Sequence, residues 1–112
     1  MAIEIDSKTF ITNDEGYLVD PVDWDKSVAE ELARREEITL TDLHWKIINF
    51  MRDYYETHHI AADARFVIKF MADDLAMGAL ARKNLYKLFP YGYVKQACKI
   101  AGMLRPRAWS VG

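Results

Sequence analysis

The first twenty residues alternate between apolar and polar positions with the period of two that is typical of β-strands. Ile3-Glu4-Ile5 and Lys8–Thr12 show this alternation, and Asp6-Ser7 between them is a turn sequence. The pattern predicts a small N-terminal β-hairpin. Asn13–Gly16 is a second turn sequence, and Tyr17-Leu18-Val19 after it is expected to add a third short strand.

After these residues, apolar positions recur every three or four residues, which is the period of an α-helix. A first helix is expected to start at Asp20, with Pro21 in its first position, or at Asp23, and to end near Glu37. Thr41 is the expected N-cap of a second helix. This helix has the longest apolar stripe of the chain, formed by Leu43, Ile47, Phe50, Met51, Tyr54 and Tyr55.

Three more helices are predicted in the second half of the chain. The third spans about 63–75, and Gly78 marks the break after it. The fourth directs Leu80, Leu85 and Leu88 inward and stops before Pro90. The fifth spans 93–101. The expected fold is therefore α+β but mainly α, with a bundle of about five helices and the small hairpin.

Length and composition agree with a single domain. The chain has 112 residues, of which 51% are hydrophobic, enough for one core. We expect residues 1–102 to form that domain and 103–112, which lack periodicity, to form a flexible C-terminal arm. No apolar run approaches the roughly 20 residues of a membrane span, and a secretory leader is not recognisable, so a cytoplasmic location is expected.

Charge is distributed unevenly. Residues 1–60 contain fourteen Asp and Glu against six Lys and Arg, whereas residues 61–112 contain three against nine. The basic half either forms a solvated face balanced by the acidic half or attracts an anion such as a nucleic acid. The segment 63–89 is compatible with a helix-turn-helix. Its candidate nucleic-acid contacts are Arg82, Lys83, Asn84 and Lys87.

Cys98 is the single cysteine and the strongest candidate nucleophile. It shares the spacing of Val94, Ala97 and Ala101, which places its sulfur on the apolar stripe of the fifth helix and favours a buried, inert thiol. Lys95 and Lys99 flank it, and their positive charge would favour the thiolate if the sulfur lay at the edge of the core. The sequence alone leaves both alternatives open.

Other chemistry lacks a motif. His44, His58 and His59 suit helix-end and surface positions better than a metal site, and no metal is expected. No glycine-rich phosphate loop is present, so no nucleotide or other cofactor is expected.

Several segments of the chain resemble the DsrC/TusE family, which comprises the gamma subunit of dissimilatory sulfite reductase and relatives in sulfur relay to tRNA. They are Glu15–Leu18, Trp24, 44–55 and 88–102, the last reading Leu-Phe-Pro-Tyr-Gly-Tyr-Val-Lys-Gln-Ala-Cys-Lys-Ile-Ala-Gly. The resemblance covers nearly the whole chain. It implies a helical bundle with an N-terminal β-hairpin and a mobile C-terminal arm.

The resemblance also implies a role for the arm. Family members that carry sulfur do so on a cysteine in a Lys-Pro-Thr-Gly-Cys-Val-like ending, which inserts into a partner and holds sulfur as a persulfide, or as a trisulfide with a second cysteine. Cys98 matches the second cysteine, but Trp109 occupies the position of the arm cysteine. Because an indole cannot accept sulfane sulfur, any sulfurtransferase activity would depend on Cys98.

Two functions follow as hypotheses. In the first, the chain is an accessory or regulatory protein that docks on a sulfurtransferase or on a sulfite-reductase-like or heterodisulfide-reductase-like complex. Trp109 would anchor the arm in the partner, and the expected partner-binding cations are Arg105, Arg107, Lys95 and Lys99. In the second, the same scaffold is a DNA-binding regulator of sulfur-metabolism genes, with DNA or tRNA as its partner.

Overall fold

The computed structural model describes residues 2–5 and 7–104 of the chain. It is mainly helical with a two-stranded antiparallel sheet at the N-terminus, which confirms the predicted fold class. The elements in chain order are β1 (Ala2–Ile5), β2 (Lys8–Ile11), α1 (Lys26–Arg35), α2 (Asp42–His58), α3 (Ala64–Asp73), α4 (Ala81–Leu88) and α5 (Tyr93–Cys98). Short 3₁₀ turns, Pro21–Asp23 and Gly78–Leu80, precede α1 and α4.

The predicted N-terminal hairpin is present. Ile3 pairs with Phe10, and both side chains are buried on the face that packs on the helices. The third strand is smaller than expected. Among the described residues, its only β-ladder contact is an isolated bridge between Thr12 and Leu18, so it is not a full strand. We call the segment 12–18 the strap.

The start of the first helix differs from both predicted positions. Asp20 caps only the 3₁₀ turn, where its carboxylate accepts a hydrogen bond from the amide of Val22. The N-cap of α1 is Asp25, whose carboxylate accepts from the amide of Val28. Two successive aspartate caps therefore produce a turn and then a helix.

Helix α2 begins at the predicted Thr41 cap, but its buried face is rotated from the predicted stripe. The buried residues are His44, Ile47, Ile48 and Met51. Phe50 and Tyr54 are only partly buried, because they form a row of rings across α3; Phe50 stacks on Phe70 at 4.4 Å between ring centroids.

Leu80 was expected to face the core, yet 60% of its surface is exposed, because it lies in the 3₁₀ turn before α4. Leu85 is buried as predicted. The core reaches as far as Met103, which is buried and donates its amide hydrogen bond to the carbonyl of Cys98. Residues 105–112 lie outside the described residues, so the predicted arm stays a prediction. Within the part of the chain that the structure describes, no helix is long and apolar enough to cross a membrane.

Candidate functional site

Cys98 lies at the end of α5 with its side chain fully buried. Burial among apolar groups raises the pKa of the thiol to about 12, and a smaller hydrogen-bonding interaction with the Tyr93 hydroxyl acts in the opposite direction. Neither Lys95 nor Lys99 contributes to this pKa shift. The apolar stripe thus determines the state of the sulfur, which is a neutral thiol at neutral pH.

Tyr93 fixes the environment of the thiol from one turn earlier in α5. Its ring is fully buried, and its hydroxyl donates a hydrogen bond to the carbonyl of Ala62 in the connection between α2 and α3. Burial also raises the pKa of Tyr93 above its ordinary value, so the hydroxyl stays protonated and remains a donor.

Helix α5 is π-helical rather than α-helical, which the sequence pattern did not reveal. Gly92, with φ of 100°, turns the chain into it. The wide turn buries Gln96 as well as Cys98, and both polar atoms of the Gln96 side chain form a hydrogen bond. Its oxygen accepts from the amide of Tyr91 at 2.9 Å, and its nitrogen donates to the Glu36 carboxylate at 3.3 Å.

Lys95 and Lys99 lie on the outer side of α5 and differ in their surroundings. Lys95 is exposed. Lys99 is only 17% exposed; its Nζ lies 3.9 Å from a carboxylate oxygen of Glu36 and 5.2 Å above the centre of the Tyr17 ring. Lys99 therefore stabilises the junction between α5 and the strap, and Lys95 is the more accessible of the two for a partner.

The backbone after α5 is held by two side chains from the first half of the protein. The indole Nε1 of Trp24 donates to the carbonyl of Ile100 at 2.9 Å. The Arg52 guanidinium donates to the carbonyl of Ala101 at 3.1 Å and to that of Pro21 at 2.9 Å, and it lies 4.5 Å from the centre of the Trp24 ring. We call Trp24 and Arg52 the root clamp, because they hold the carbonyls of Ile100 and Ala101 in the backbone that follows α5.

The comparisons with known proteins agree with this architecture. The family model described as DsrC like protein matches residues 4–109, which is nearly the whole chain. The chain belongs to the DsrC-like family.

Relatives in this family are named for sulfur transfer. The chain is 38% identical over 104 residues to the sulfurtransferase TusE of Pectobacterium atrosepticum, covering 93% of this chain and 95% of that protein. It is 44% identical over 92 residues to the sulfurtransferase TusE of Buchnera aphidicola subsp. Acyrthosiphon pisum, covering 82% and 81%.

Solved structures of the family have the same fold. The NMR structure of Allochromatium vinosum DsrC superposes with a TM-score of 0.86 at 43% identity, and the alignment covers 97% of this chain and 99% of that one. The crystal structure of the oxidized gamma-subunit of the dissimilatory sulfite reductase from Archaeoglobus fulgidus gives 0.84 at 35% identity, with the same coverage.

The other predicted site residues of this DsrC-like chain lie on α4, away from α5, or outside the described residues. Arg82, Lys83 and Lys87 are exposed on α4, and Asn84 is half-buried there. Helices α3 and α4 are consecutive and in contact, with the Gly78–Leu80 turn before α4. The predicted arm contacts lie outside the described residues; they are Arg105, Arg107 and Trp109.

His44 was expected to have a capping and surface role; the capping role is confirmed and the surface position is wrong. His44 is buried, and its Nδ1 accepts from the amide of Thr41 at 3.1 Å, so Nε2 carries the proton donated to the carbonyl of Leu88 at 2.9 Å. Within residues 2–5 and 7–104, no cluster of three His, Cys, Asp or Glu side chains is suited to a metal ion.

Three residues of this site were not selected from the sequence as site residues: Trp24, Arg52 and Gln96. Their partners lie between 31 and 76 residues away, apart from the Gln96 bond to Tyr91. The sequence offered one signal for them, which is that Trp24 and Arg52 lie within the segments that resemble the family.

Proposed function

We propose that this DsrC-like protein is an accessory or regulatory member of a sulfur-relay system. It docks on a sulfurtransferase or a sulfite-reductase-type complex and occupies the place of a cysteine-bearing relative, without carrying sulfur itself. The observation that carries the proposal is the complete burial of Cys98, the only cysteine of the sequence. The proposal includes a cytoplasmic location.

Sulfane sulfur is accepted by a thiolate that can reach the donor sulfur. Cys98 satisfies neither condition, because its side chain is buried and its pKa is raised to about 12. At the position that resembles the arm cysteine of the family, the chain has Trp109. In the native conformation of α5, Cys98 therefore does not carry sulfur in the proposed function.

The family scaffold is nevertheless retained, and this supports docking. The relatives named above are sulfurtransferases and a sulfite reductase subunit, so those two classes of complex are the proposed partners. We assign Trp109 as the anchor in the partner, with Arg105, Arg107 and the exposed Lys95 as the cations that guide association. Lys99 is a weaker candidate because Glu36 and Tyr17 already surround its charge.

The first test measures sulfur loading by intact-mass spectrometry. The native chain is incubated with a sulfurtransferase and a persulfide donor, with Cys98→Ala as the control and a cysteine-bearing TusE as the positive sample. We expect the TusE to gain the mass of one sulfur atom and this chain to gain none. A gain that disappears in Cys98→Ala would establish Cys98 as a carrier and overturn the accessory role.

The second test measures competition. Sulfur transfer from the sulfurtransferase to the cysteine-bearing TusE is followed while this chain is added, and we expect the rate to fall as the donor is occupied. Trp109→Ala should weaken this inhibition by a hot-spot-sized loss of about 2 kcal/mol. A rate that is unaffected by an excess of this chain would reject docking on that sulfurtransferase; a sulfite-reductase-type complex is tested in the same way.

The DNA-binding alternative has no comparable support. The relatives named above are sulfur-transfer and sulfite reductase proteins. The structural feature that favours DNA binding is the exposure of Arg82, Lys83 and Lys87 on α4. Exposed cations are common on solvated helix faces, so we do not propose nucleic-acid binding.

A further inference from the structure

The turn between α4 and α5 exposes one large aromatic side chain. Tyr91 is 71% exposed, whereas the rings two residues before and after it, Phe89 and Tyr93, are both fully buried. The amide of Gly92 donates to the carbonyl of Phe89 at 2.8 Å, which closes a four-residue turn with Pro90 in its second position. The buried rings on both sides therefore fix a turn that presents Tyr91 to solvent.

The backbone of Tyr91 is also held by a buried polar side chain. Gln96, which is 1% exposed, accepts the amide hydrogen bond of Tyr91 at 2.9 Å, and its nitrogen donates to the Glu36 carboxylate at 3.3 Å. The Lys99 ammonium lies 3.9 Å from the other carboxylate oxygen of Glu36. The backbone that carries the exposed ring is thus preorganised, and a tyrosine side chain has only two torsions to fix on association.

A small cavity of about 220 Å³ adjoins the Tyr91 ring. Its volume is below the roughly 300–1,000 Å³ of typical small-molecule pockets, so one side chain of a protein partner fits it better than a separate ligand does. The lining consists of two tyrosines, two lysines and two glutamates, which are Tyr17, Tyr91, Lys95, Lys99, Glu15 and Glu36.

Lys95 brings an accessible positive charge to this cavity. It is exposed and forms no ion pair with another residue of the described ranges 2–5 and 7–104. The negative charge of Glu36 faces Lys99, and Glu15 is exposed to solvent, which screens its charge. An accessible ammonium group beside an aromatic ring is complementary to a carboxylate whose aliphatic part packs on that ring.

We propose that Tyr91 and Lys95, which we call the turn surface, form a second docking contact and bind a carboxylate-bearing side chain of the partner. The carboxylate pairs with the Lys95 ammonium, and the aliphatic part of that side chain lies in the cavity against the Tyr91 ring. The inference rests on the proposed function and adds the chemistry of the partner, which is an acidic surface on the sulfurtransferase or sulfite-reductase-type complex. Exposed, rigid tyrosines are typical of the residues that dominate binding energy.

Surface plasmon resonance with the immobilised sulfurtransferase, and then with the sulfite-reductase-type complex, tests the role of Tyr91. Tyr91→Ala should weaken binding about thirtyfold, chiefly through faster dissociation. Leu80→Ala is the control, because it truncates an apolar side chain that is 60% exposed before α4, and its affinity should stay within about twofold of the wild type. Unchanged thermal denaturation would show that both variants are folded.

The role of Lys95 is tested by charge reversal at two salt concentrations. Lys95→Glu should slow association and weaken binding about tenfold at low salt, because like charges then face each other. In about 1 M NaCl, where the Debye length is about 3 Å, this difference should largely disappear, whereas the loss in Tyr91→Ala should remain. Lys83→Glu makes the same charge change at an exposed position of α4 and should have little effect.

The outcomes separate this inference from the proposed function. A wild type that binds one of the complexes no better than Tyr91→Ala does would overturn the inference and leave the proposed function intact. Equal losses in Lys95→Glu and Lys83→Glu would also overturn it, because they would reflect net charge alone. So would a loss in Lys95→Glu that persists at high salt, since no carboxylate would then face this position. A wild type that binds neither complex would overturn the proposed function, and this inference with it.

Discussion

The indole of Trp24 donates its hydrogen bond to the carbonyl oxygen of Ile100, 2.9 Å away, although 76 residues separate the two in the chain. This contact joins the segment before α1 to the backbone that follows α5. Arg52 makes a second connection from α2 to the same backbone at Ala101. Side chains from the first half of the chain thus hold the backbone at Ile100 and Ala101.

Gly102→Ala should destabilise the protein strongly. Gly102 has φ of +77°, and a Cβ there would lie within 2.8 Å of the Trp24 Cβ. Left-handed backbone and overpacking together are expected to lower the free energy of unfolding by about 2–4 kcal/mol, measured by urea denaturation. Gly78→Ala is the matched control: φ is +53° but nothing lies within 4 Å of the added carbon, so the loss should be about 1 kcal/mol. Equal losses would contradict the contact with Trp24.

The stability contributed by Cys98 should depend on pH. Its pKa is about 12 in the folded chain against an ordinary 9.0, because burial disfavours the thiolate. Well below pH 9 the thiol is protonated in both the folded and the unfolded state, so the full contribution of Cys98 to folding stability is present. As pH rises from 9 toward 12, the unfolded state loses the proton first, so the free energy of unfolding falls by up to about 1.4 kcal/mol per pH unit.

The measurement compares denaturation of the wild type and Cys98→Ala from pH 7 to about 10.5. The advantage of the wild type, expected to be about 1–2 kcal/mol at pH 7, should shrink above pH 9. A difference that stays constant over the whole range would mean that the thiol is solvated in the native state. That result would also remove the main support for the accessory role.

Thr41→Ala should weaken the start of α2. The Thr41 hydroxyl accepts from the amide of His44 at 3.4 Å and contacts His44 Nδ1 at 2.8 Å. Removing this N-cap is expected to cost about 1–2 kcal/mol of folding stability in thermal or chemical denaturation. Thr57→Ala, an exposed threonine near the other end of α2, should change stability by less than about 0.5 kcal/mol. A similar effect of both substitutions would argue against the cap.

Tyr17→Phe tests the connection between the strap and α5. The Tyr17 hydroxyl donates to the carbonyl of Val94 at 2.8 Å in a buried position. Its loss should lower the free energy of unfolding by about 1–2 kcal/mol, because the buried acceptor loses this donor. Tyr86→Phe is the comparison, since Tyr86 is half-buried and its hydroxyl makes no hydrogen bond with another described residue. We expect little change there, and an equal loss would show that the hydroxyl of Tyr17 contributes nothing specific.

Local patterns predict the hairpin and the approximate positions of the helices of this fold. The alternation of apolar and polar residues predicts the hairpin, and the Thr41 cap fixes the start of α2. The apolar spacing in α5 favours the buried alternative for Cys98, which is the one that the structure has. Each of these properties depends on residues that are close in sequence, so a single chain contains the necessary information.

The contacts that define the candidate site are not local, and they could not be predicted in this way. Helix periodicity places Trp24 near α1 but does not reveal Ile100 as its partner. The spacing of three and four residues in α5 predicts an α-helix. The structure has a π-helical turn there instead, in which Gln96 and Cys98 are buried in the core. His44 looked like a surface residue because its second partner, the carbonyl of Leu88, lies 44 residues away.

The long-range acceptors around α5 have a consequence for biosynthesis. Tyr17, Trp24 and Arg52 have carbonyl partners at Val94, Ile100 and Ala101. While the ribosome is still translating the middle of the chain, these donors exist and their acceptors do not. The N-terminal hairpin and α1 therefore cannot complete their native contacts during synthesis of α2 and α3, and the final packing step waits until the segment around residues 94–101 is translated and released.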